Sequence, residues 1–397
     1  MERMCWLMSR SGKIPKYITN KYGEHPRIWS YSNVSSLDSG CKWEYWLGRI
    51  KKEKGVDGIY GVLGGMAHSE LEHYYNKEIK YEDMLEEFYK EWLVIETGDL
   101  KFSSDEEKNM KMSMNYKNNL IHFFKNHKPI ESKTINELEF WVDVKDNVFV
   151  GYIDNISVDS DSNYIITDWK TSSYGAEYKG EGLRSHSHQL LLYAYALHKL
   201  KKIPLNKIKC RWCFLKYCVV DVDYKIKSKK NMQHKQYISE RIKWVDKVKS
   251  QLKKDIIRYY PDITEMEQDI LLEQSIAKND LSLLCEEIQN NYKISDFYLY
   301  TDVTEKSLNE LEEYICNRID EIKANESDEE NWYREHPISY IDDRGKEIND
   351  SFYCSTLCGQ RENCHYYKEY LDDLKTATQK IQDNNEVDLL AELDDLL

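Results

Sequence analysis

The fold is decided by Phe149-Val150-Gly151-Tyr152-Ile153-Asp154 and by Tyr164-Ile165-Ile166-Thr167-Asp168-Trp169-Lys170-Thr171. Both segments are rich in β-branched and aromatic residues, which is typical of strands. The first belongs to a longer run, Val148–Ser157, which follows Glu137–Val144 across a turn at Asp146-Asn147. This pattern predicts a β-hairpin followed closely by a third strand.

Helical patterns flank the three predicted strands. Residues 66–75 precede them, and a helix at His188–Leu200 is followed by a strand at Lys209–Asp221. The order helix, three strands, helix, strand predicts an α/β core. From residue 225 onward, apolar residues recur at steps of three and four, which predicts a largely helical C-terminal half.

These changes in pattern divide the chain into five predicted segments. They are an N-terminal segment (1–60), the α/β core (61–224), a helical region with a basic stretch (225–345), a cysteine-rich segment (346–375) and an acidic tail (376–397).

Composition excludes several protein classes. Hydrophobic residues make up 41% of the chain and charged residues 32%, with 16 glycines and 6 prolines, which excludes collagen-like and wholly disordered proteins. No apolar run reaches the roughly 18 residues of a membrane-spanning helix. The apolar patch Cys5–Met8 is too short for a secretory signal. We therefore expect a soluble, cytoplasmic protein that does not enter a membrane.

Asp154, Asp168 and Lys170 form a candidate catalytic set. Residues two apart on a strand face the same side, so Asp168 and Lys170 should project together beside Asp154. Two carboxylates can hold Mg²⁺ or Mn²⁺, and a nearby lysine can orient an attacking water and stabilise developing charge. Phosphodiester hydrolysis needs these groups. The alternative is a surface salt bridge between Asp168 and a nearby base.

Three motifs together resemble the PD-(D/E)XK nuclease superfamily in its RecB-like branch. They are Gly151-Tyr152-Ile153-Asp154, Asp168-Trp169-Lys170-Thr171 and Gln189-Leu190-Leu191-Leu192-Tyr193. His68, on a predicted helix after a glycine-rich turn, is similar to the metal-binding histidine of that branch. The alternative for His68 is a structural histidine on a helix. A zinc-protease interpretation fails because no second histidine completes the His-Glu-x-x-His pattern.

The resemblance implies an α/β core with a mixed central sheet flanked by helices. It also implies a role for each matching residue. His68, Asp154 and Asp168 would bind the divalent metal, and Lys170 would assist the attacking water. Gln189 and Tyr193, one helical turn apart, would position the substrate backbone or the lysine. Glu137 resembles the accessory acid of these nucleases, with Glu139 as a competing candidate.

Three cysteines lie close together near the C-terminus, at Cys354, Cys358 and Cys364. Closely spaced cysteines can converge on one metal or cluster with a fourth ligand, for which Cys41 is the candidate. This set resembles iron–sulfur nucleases of the same branch, including AddAB-type nuclease subunits and CRISPR spacer-acquisition nucleases. The resemblance implies a [4Fe–4S] cluster that closes the two chain ends around the core. Zinc and unliganded thiols are the alternatives.

A basic stretch interrupts a chain whose formal net charge is −14. The segment from Lys225 to Arg258 contains twelve Lys or Arg residues and only three acidic residues. Such clusters contact nucleic-acid phosphates, although a solvated helix face is the alternative. The proposed contact residues at the start of this stretch are Lys225, Lys227, Lys229, Lys230 and Lys235. The acidic tail either binds a partner or only aids solubility.

Taken together, the motifs predict a metal-dependent DNA nuclease. We expect an exonuclease acting on single-stranded DNA or duplex ends in recombination, repair or replication. A helicase, a single-strand-binding protein or a replication protein would be its partner, and any helicase would be a separate chain because no P-loop pattern is present. The alternatives are a non-catalytic or partner-dependent nucleic-acid-binding iron–sulfur protein and an RNA-cleaving nuclease.

Overall fold

The computed structural model describes residues 13–98, 100–103, 105–225, 232–333, 339–341, 347–349 and 351–376. The chain divides into two compact units, each made from two separate stretches of sequence. We call Met1–Tyr31 with Leu63–Tyr314 the sheet unit, and Ser32–Val62 with Ile315–Leu397 the cysteine unit. The three boundaries within the chain fall inside helices.

The α-helices and strands of the described residues are as follows. The helices are α1 (Lys16–Tyr22), α2 (Tyr31–Ser39), α3 (Lys42–Tyr45), α4 (Ile59–Tyr75), α5 (Tyr81–Glu96), α6 (Glu106–Asn126), α7 (Glu181–His186), α8 (His188–Lys201), α9 (Trp244–Tyr259), α10 (Glu265–Lys278), α11 (Glu286–Gln289) and α12 (Glu305–Asn325). The strands are β1 (Ile28–Trp29), β2 (Thr134–Val144), β3 (Asn147–Val158), β4 (Tyr164–Lys170), β5 (Ile208–Tyr224), β6 (Gln233–Glu240), β7 (Tyr292–Thr301), β8 (Ser339–Ile341) and β9 (Glu347–Asn349).

The sheet unit is built on a mixed sheet. Strand β3 pairs antiparallel with β2 and with β4, and parallel with the short β1. Strand β4 pairs parallel with β5, whose other neighbours, β6 and β7, are both antiparallel. Parallel neighbours need a crossover connection, and here the chain between β4 and β5 contains α7 and α8.

The β2–β3 hairpin is closed by a two-residue turn at Lys145-Asp146. Both residues have positive φ angles, 47° and 63°, as a type I′ turn requires. Val144 pairs with Asn147 across it, and the Asp143 carboxylate accepts a hydrogen bond from the Asp146 N–H at 3.1 Å. The predicted hairpin is therefore present, with its turn one residue earlier than the sequence pattern indicated.

Helix α8 forms part of the core against the sheet. Its residues Leu190–Leu197 are all buried, as expected for a helix that is apolar around most of its circumference. A second apolar cluster joins the far half of β5 to α9, where Val220 and Val222 pack with Val248 and Leu252. Because α8 is buried, Gln189 and Tyr193 near its N-terminus are held in place beside β4.

The α/β class with a mixed sheet flanked by helices is confirmed. The region 225–345 differs in one respect, because it supplies strands β6, β7 and β8 as well as helices. Ile238 lies four residues before Ile242, which imitates helical spacing. The structure instead pairs Ile238 with Val219 of β5. Strand β4 pairs only with residues 208–214 of β5, and residues 233–240 pair with residues 217–224 of the same strand.

The cysteine unit is packed around aromatic rings. Tyr45 stacks on Trp332 with ring centroids 5.3 Å apart, and Trp43 meets His365 edge-on at 5.0 Å. There are two short π-helical turns: Trp46–Ile50 follows Cys41, and Tyr353–Leu357 contains Cys354. Within the described parts of the whole chain, no helix combines the length and apolar character needed to cross a bilayer.

Candidate active site

Two acidic residues lie where the β3–β4 ladder opens. Asn155 and Thr167 are the last paired residues, so Asp154 and Asp168 come next on their strands. Asp168 is only 1% exposed, and Asp154 Oδ2 accepts a hydrogen bond from the Trp169 N–H at 3.0 Å. The strand pairing therefore brings together the two carboxylates that the sequence pattern singled out.

His68 approaches these carboxylates from α4. Its Nε2 lies 2.6 Å from the carbonyl oxygen of Trp169, and its Nδ1 lies 3.5 Å from Asp154 Oδ2. A carbonyl oxygen only accepts hydrogen bonds, so Nε2 donates to Trp169, and Nδ1 is the ring nitrogen that faces Asp154. Metal-binding histidines commonly donate their other ring N–H to a backbone carbonyl in this way.

A third group completes a set that fits a metal ion. Ligand atoms of His68, Glu137 and Asp154 all lie within 4.8 Å of one another, the one such group among the residues described here. Two carboxylates suit a hard divalent cation such as Mg²⁺ or Mn²⁺. The set contains Glu137, expected as an accessory acid, and omits Asp168, expected as a ligand.

The backbone explains why Glu137 rather than Glu139 reaches this site. Register pairs on either side place Glu137 opposite Asp154, and its φ of 46° breaks the regular strand geometry there. Glu139 instead pairs with Tyr152 on β3, and its carboxylate accepts a hydrogen bond from that tyrosine hydroxyl at 3.2 Å. The competing candidate is thus engaged elsewhere on the hairpin.

Lys170 connects the acidic residues to α8. Its Nζ lies 2.7 Å from Asp168 Oδ2 and donates a hydrogen bond to Gln189 Oε1 at 3.2 Å. The Gln189 amide in turn donates to the Tyr193 hydroxyl at 2.8 Å. The predicted Lys170, Gln189 and Tyr193 therefore form one hydrogen-bonded chain, which fixes the ammonium beside Asp168.

Burial dominates the electrostatics of the site. It raises the pKa of Asp154 to about 6, with a further contribution from Asp168, against the opposing effects of His68 and Lys170. Burial alone would lower the pKa of Lys170, but the attraction of Asp168 and Asp154 outweighs it and raises that pKa. Burial also raises the pKa of Tyr193, which keeps the phenol neutral. A cation bound beside Asp154 and Asp168 would therefore favour the ionised form of both carboxyl groups.

The four predicted cluster cysteines all lie in the cysteine unit. Cys41 precedes α3, and the other three lie in or after the π-helical turn at Tyr353–Leu357; each is at most 9% exposed. They line one cavity, and none of them forms a disulfide. No three of these four sulfurs lie within 4.8 Å of one another. Burial and then the charge of Glu44 raise the pKa of Cys358.

The basic stretch is only partly described by the structure. Lys227, Lys229 and Lys230 lie outside the described residues. Lys225 is exposed at the end of β5, and Lys235 is exposed on β6 with its Nζ 4.6 Å from the Tyr237 ring centroid. The tail beyond residue 376 also lies outside the described residues.

Sequence reasoning missed a buried network behind Trp169. The Tyr75 ring stacks on the Trp169 indole at 6.0 Å, and the Tyr75 hydroxyl lies 2.9 Å from His127 Nε2. His127 Nδ1 lies 2.7 Å from Asp296, which also accepts a hydrogen bond from Arg241 at 2.6 Å. Burial would raise the pKa of Asp296, but His127 and Arg241 outweigh it and lower that pKa.

One member of that network carried a sequence signal. Tyr75 lies seven residues, close to two helical turns, after His68, so both share one face of α4. His127, Arg241 and Asp296 have no comparable spacing, because they come from separate elements.

Comparison with known proteins agrees with this geometry. A family model described as the PD-(D/E)XK nuclease superfamily matches residues 28–332, about three quarters of the chain. The matched span contains the whole candidate active site and ends before Cys354. No match was found among the curated proteins.

Proposed function

The chain belongs to the PD-(D/E)XK nuclease superfamily, a class of metal-dependent nucleases, and from this premise we propose that it is a DNA nuclease. The observation that carries the proposal is the meeting of His68, Glu137 and Asp154 within 4.8 Å, next to the Lys170–Asp168 pair. A divalent cation bound there would polarise the scissile phosphate and lower the pKa of an attacking water.

The chain's own residues perform the remaining tasks. Asp154, Glu137 and the Nδ1 atom of His68 would hold the cation, with Asp168 beside Lys170 as a further ligand. The Lys170 ammonium would orient the water and stabilise negative charge developing on the phosphate. Gln189 holds that ammonium in place through its side-chain oxygen.

We propose an exonuclease acting on single-stranded DNA or duplex ends. The local excess of basic residues at 225–258, in a chain of net charge −14, supports a phosphate-binding track. Recombination, repair or replication is the setting that we propose, with a helicase, a single-strand-binding protein or a replication protein as partner. The acidic tail is the segment that we propose for partner binding.

We also propose a [4Fe–4S] cluster at Cys41, Cys354, Cys358 and Cys364. The convergence of four buried sulfurs on one cavity supports it. Zinc held by the same four thiolates stays the alternative. A reducing cytoplasm, the location predicted from the sequence, would keep the thiols available for the cluster.

The test is cleavage of end-labelled DNA and RNA by the anaerobically purified chain with Mn²⁺, Mg²⁺ or EDTA. We expect metal-dependent degradation of DNA that is lost in Asp168→Ala and Lys170→Ala but kept in Glu362→Ala, which changes an exposed acid. A ladder that shortens from one end would identify an exonuclease. Cleavage of RNA alone would favour the ribonuclease alternative. Binding without cleavage by every variant would favour the non-catalytic alternative.

A further inference from the structure

Among the described residues, the wall of the cysteine cavity carries one carboxylate, that of Glu44 on α3. One of its oxygens accepts a hydrogen bond from the Gly359 N–H at 2.7 Å, and the other accepts one from the Tyr353 hydroxyl. Glu44 follows Cys41 by three residues, whereas Tyr353 and Gly359 lie more than 300 residues later. A single side chain thus joins the two stretches that supply the four cysteines.

Tyr353 also contacts Cys41 directly. Its hydroxyl oxygen accepts a hydrogen bond from the Cys41 N–H at 3.0 Å while the hydroxyl donates to Glu44. A carboxylate oxygen only accepts hydrogen bonds, so the Tyr353 hydroxyl is the donor to Glu44. The backbone of the first cysteine is therefore tied to the segment of the other three through two side chains.

The loop that carries Cys364 has anchors that do not involve Glu44. Val56 donates its N–H to the Gly359 carbonyl at 2.7 Å, and the Gln360 amide donates to the Glu53 carbonyl at 3.0 Å. Asn363 donates to the Lys54 carbonyl at 2.9 Å. Because these bonds hold the loop on their own, changing Glu44 should release chiefly the link to Cys41.

We propose that Glu44 is a positioning residue that assembles the four-cysteine site before a cluster is bound and lowers the reduction potential of the bound cluster. This inference rests on the proposed [4Fe–4S] cluster. A negative charge on the cavity wall disfavours adding an electron to a group already held by four thiolates. Glu44 is partly buried, so water and salt screen its charge less than they screen that of a fully exposed carboxylate.

Arg361 provides the matched opposite charge. It lines the same cavity, and its guanidinium donates to the carbonyl oxygens of Cys358 and Asp57 at 3.2 and 3.0 Å. Neutralising Glu44 should raise the reduction potential, and neutralising Arg361 should lower it. A purely structural role for both residues would give no such difference in sign.

The experiment uses the full chain, anaerobically reconstituted with iron and sulfide, as wild type, Glu44→Gln, Glu44→Ala, Arg361→Gln and the exposed control Glu362→Gln. We measure the rate of cluster loss to a chelator and the midpoint potential in a dithionite titration. We expect at least tenfold faster loss in Glu44→Ala and less than threefold in Glu44→Gln, whose amide oxygen still accepts one hydrogen bond. Glu44→Gln should raise the reduced-to-oxidised ratio about tenfold at fixed potential, about 59 mV for one electron.

Two results would overturn the inference in different ways. If wild type binds iron and both Glu44 variants match Glu362→Gln in loss rate and potential, Glu44 has no such role and the cluster proposal stands. If reconstituted wild type holds zinc or no iron, the cluster proposal fails and the inference fails with it. Glu44→Gln keeps the test decisive should Glu44→Ala not fold.

Discussion

At the scale of single residues, Glu137 shows how the site is assembled. Its φ of 46° lies in the left-handed region, which costs a residue with a Cβ roughly 1–2 kcal/mol. Such strain persists where surrounding structure enforces it and often marks a functional position. Here it coincides with the strand position from which a carboxylate meets Asp154 and His68.

The two glutamates of β2, Glu137 and Glu139, should therefore differ in their effect on metal binding. Glu137→Gln should weaken Mn²⁺ binding by at least about tenfold, because it removes one anionic ligand. Glu139→Gln should leave it unchanged, because that carboxylate is engaged by Tyr152. Isothermal titration of both variants with Mn²⁺ measures the difference, and equal affinities would contradict the assignment of Glu137.

Asp154 gives metal binding a specific pH dependence. Burial raises its pKa to about 6 in the metal-free site, so below pH 6 a cation must displace a proton from this carboxyl. Mn²⁺ affinity should fall by up to about tenfold per pH unit below pH 6 and level off as the pH rises above it. Titrations between pH 5 and 7.5 test this, and a flat profile would show that Asp154 is not a ligand.

At the scale of elements, the hairpin, β4 and α8 were predictable because each carries its own pattern. Strands β6 and β7 were not, since residues 233–240 share apolar spacing with a following helix and gain strand geometry only by pairing with β5. The same limit applies to Asp296 of β7. Nothing near it in sequence signals its bonds to His127 and Arg241, which are tertiary.

Removing Asp296 should destabilise the sheet unit strongly. Asp296→Ala leaves the buried guanidinium of Arg241 without its carboxylate partner, and breaking such a pair costs about 3–5 kcal/mol. Asp302→Ala, at an exposed position just after β7, should change the free energy of unfolding by less than about 0.5 kcal/mol. Urea denaturation compares them, and equal stabilities would contradict a structural role for the network.

At the scale of the whole molecule, the order of motifs was enough to predict the class of fold and of enzyme. The two-unit division was not predictable, because each unit draws on separate parts of the chain. The convergence of Cys41 with Cys354, Cys358 and Cys364 was inferred from resemblance rather than physics. Bonds that span more than 300 residues, such as the one between Cys41 and Tyr353, leave no local trace in sequence.

The stability of the whole chain should depend on the pH through Glu70. This α4 carboxyl is 1% exposed, and burial, then Glu91 and Glu87, raise its pKa to about 8 from an ordinary 4.5. The unfolded chain releases this proton from about pH 4.5 and the folded chain only near 8, so stability falls as pH rises across that window.

Glu70→Gln should remove this loss of stability at high pH, because the amide does not ionise. The variant should match wild type near pH 4.5 and exceed it by a few kcal/mol at pH 8.5. Urea unfolding across this range measures the gap. A gap that stays constant with pH would show that Glu70 ionises normally in the folded chain.

The most direct test of the account is to locate the bound metal. Anomalous diffraction at the manganese edge from Mn²⁺-soaked crystals should show a peak bounded by His68 Nδ1 and the carboxylates of Glu137 and Asp154. The same peak should vanish in Asp154→Asn crystals. A manganese peak elsewhere with none among these three residues would contradict the assignment of this site as the metal centre of the nuclease.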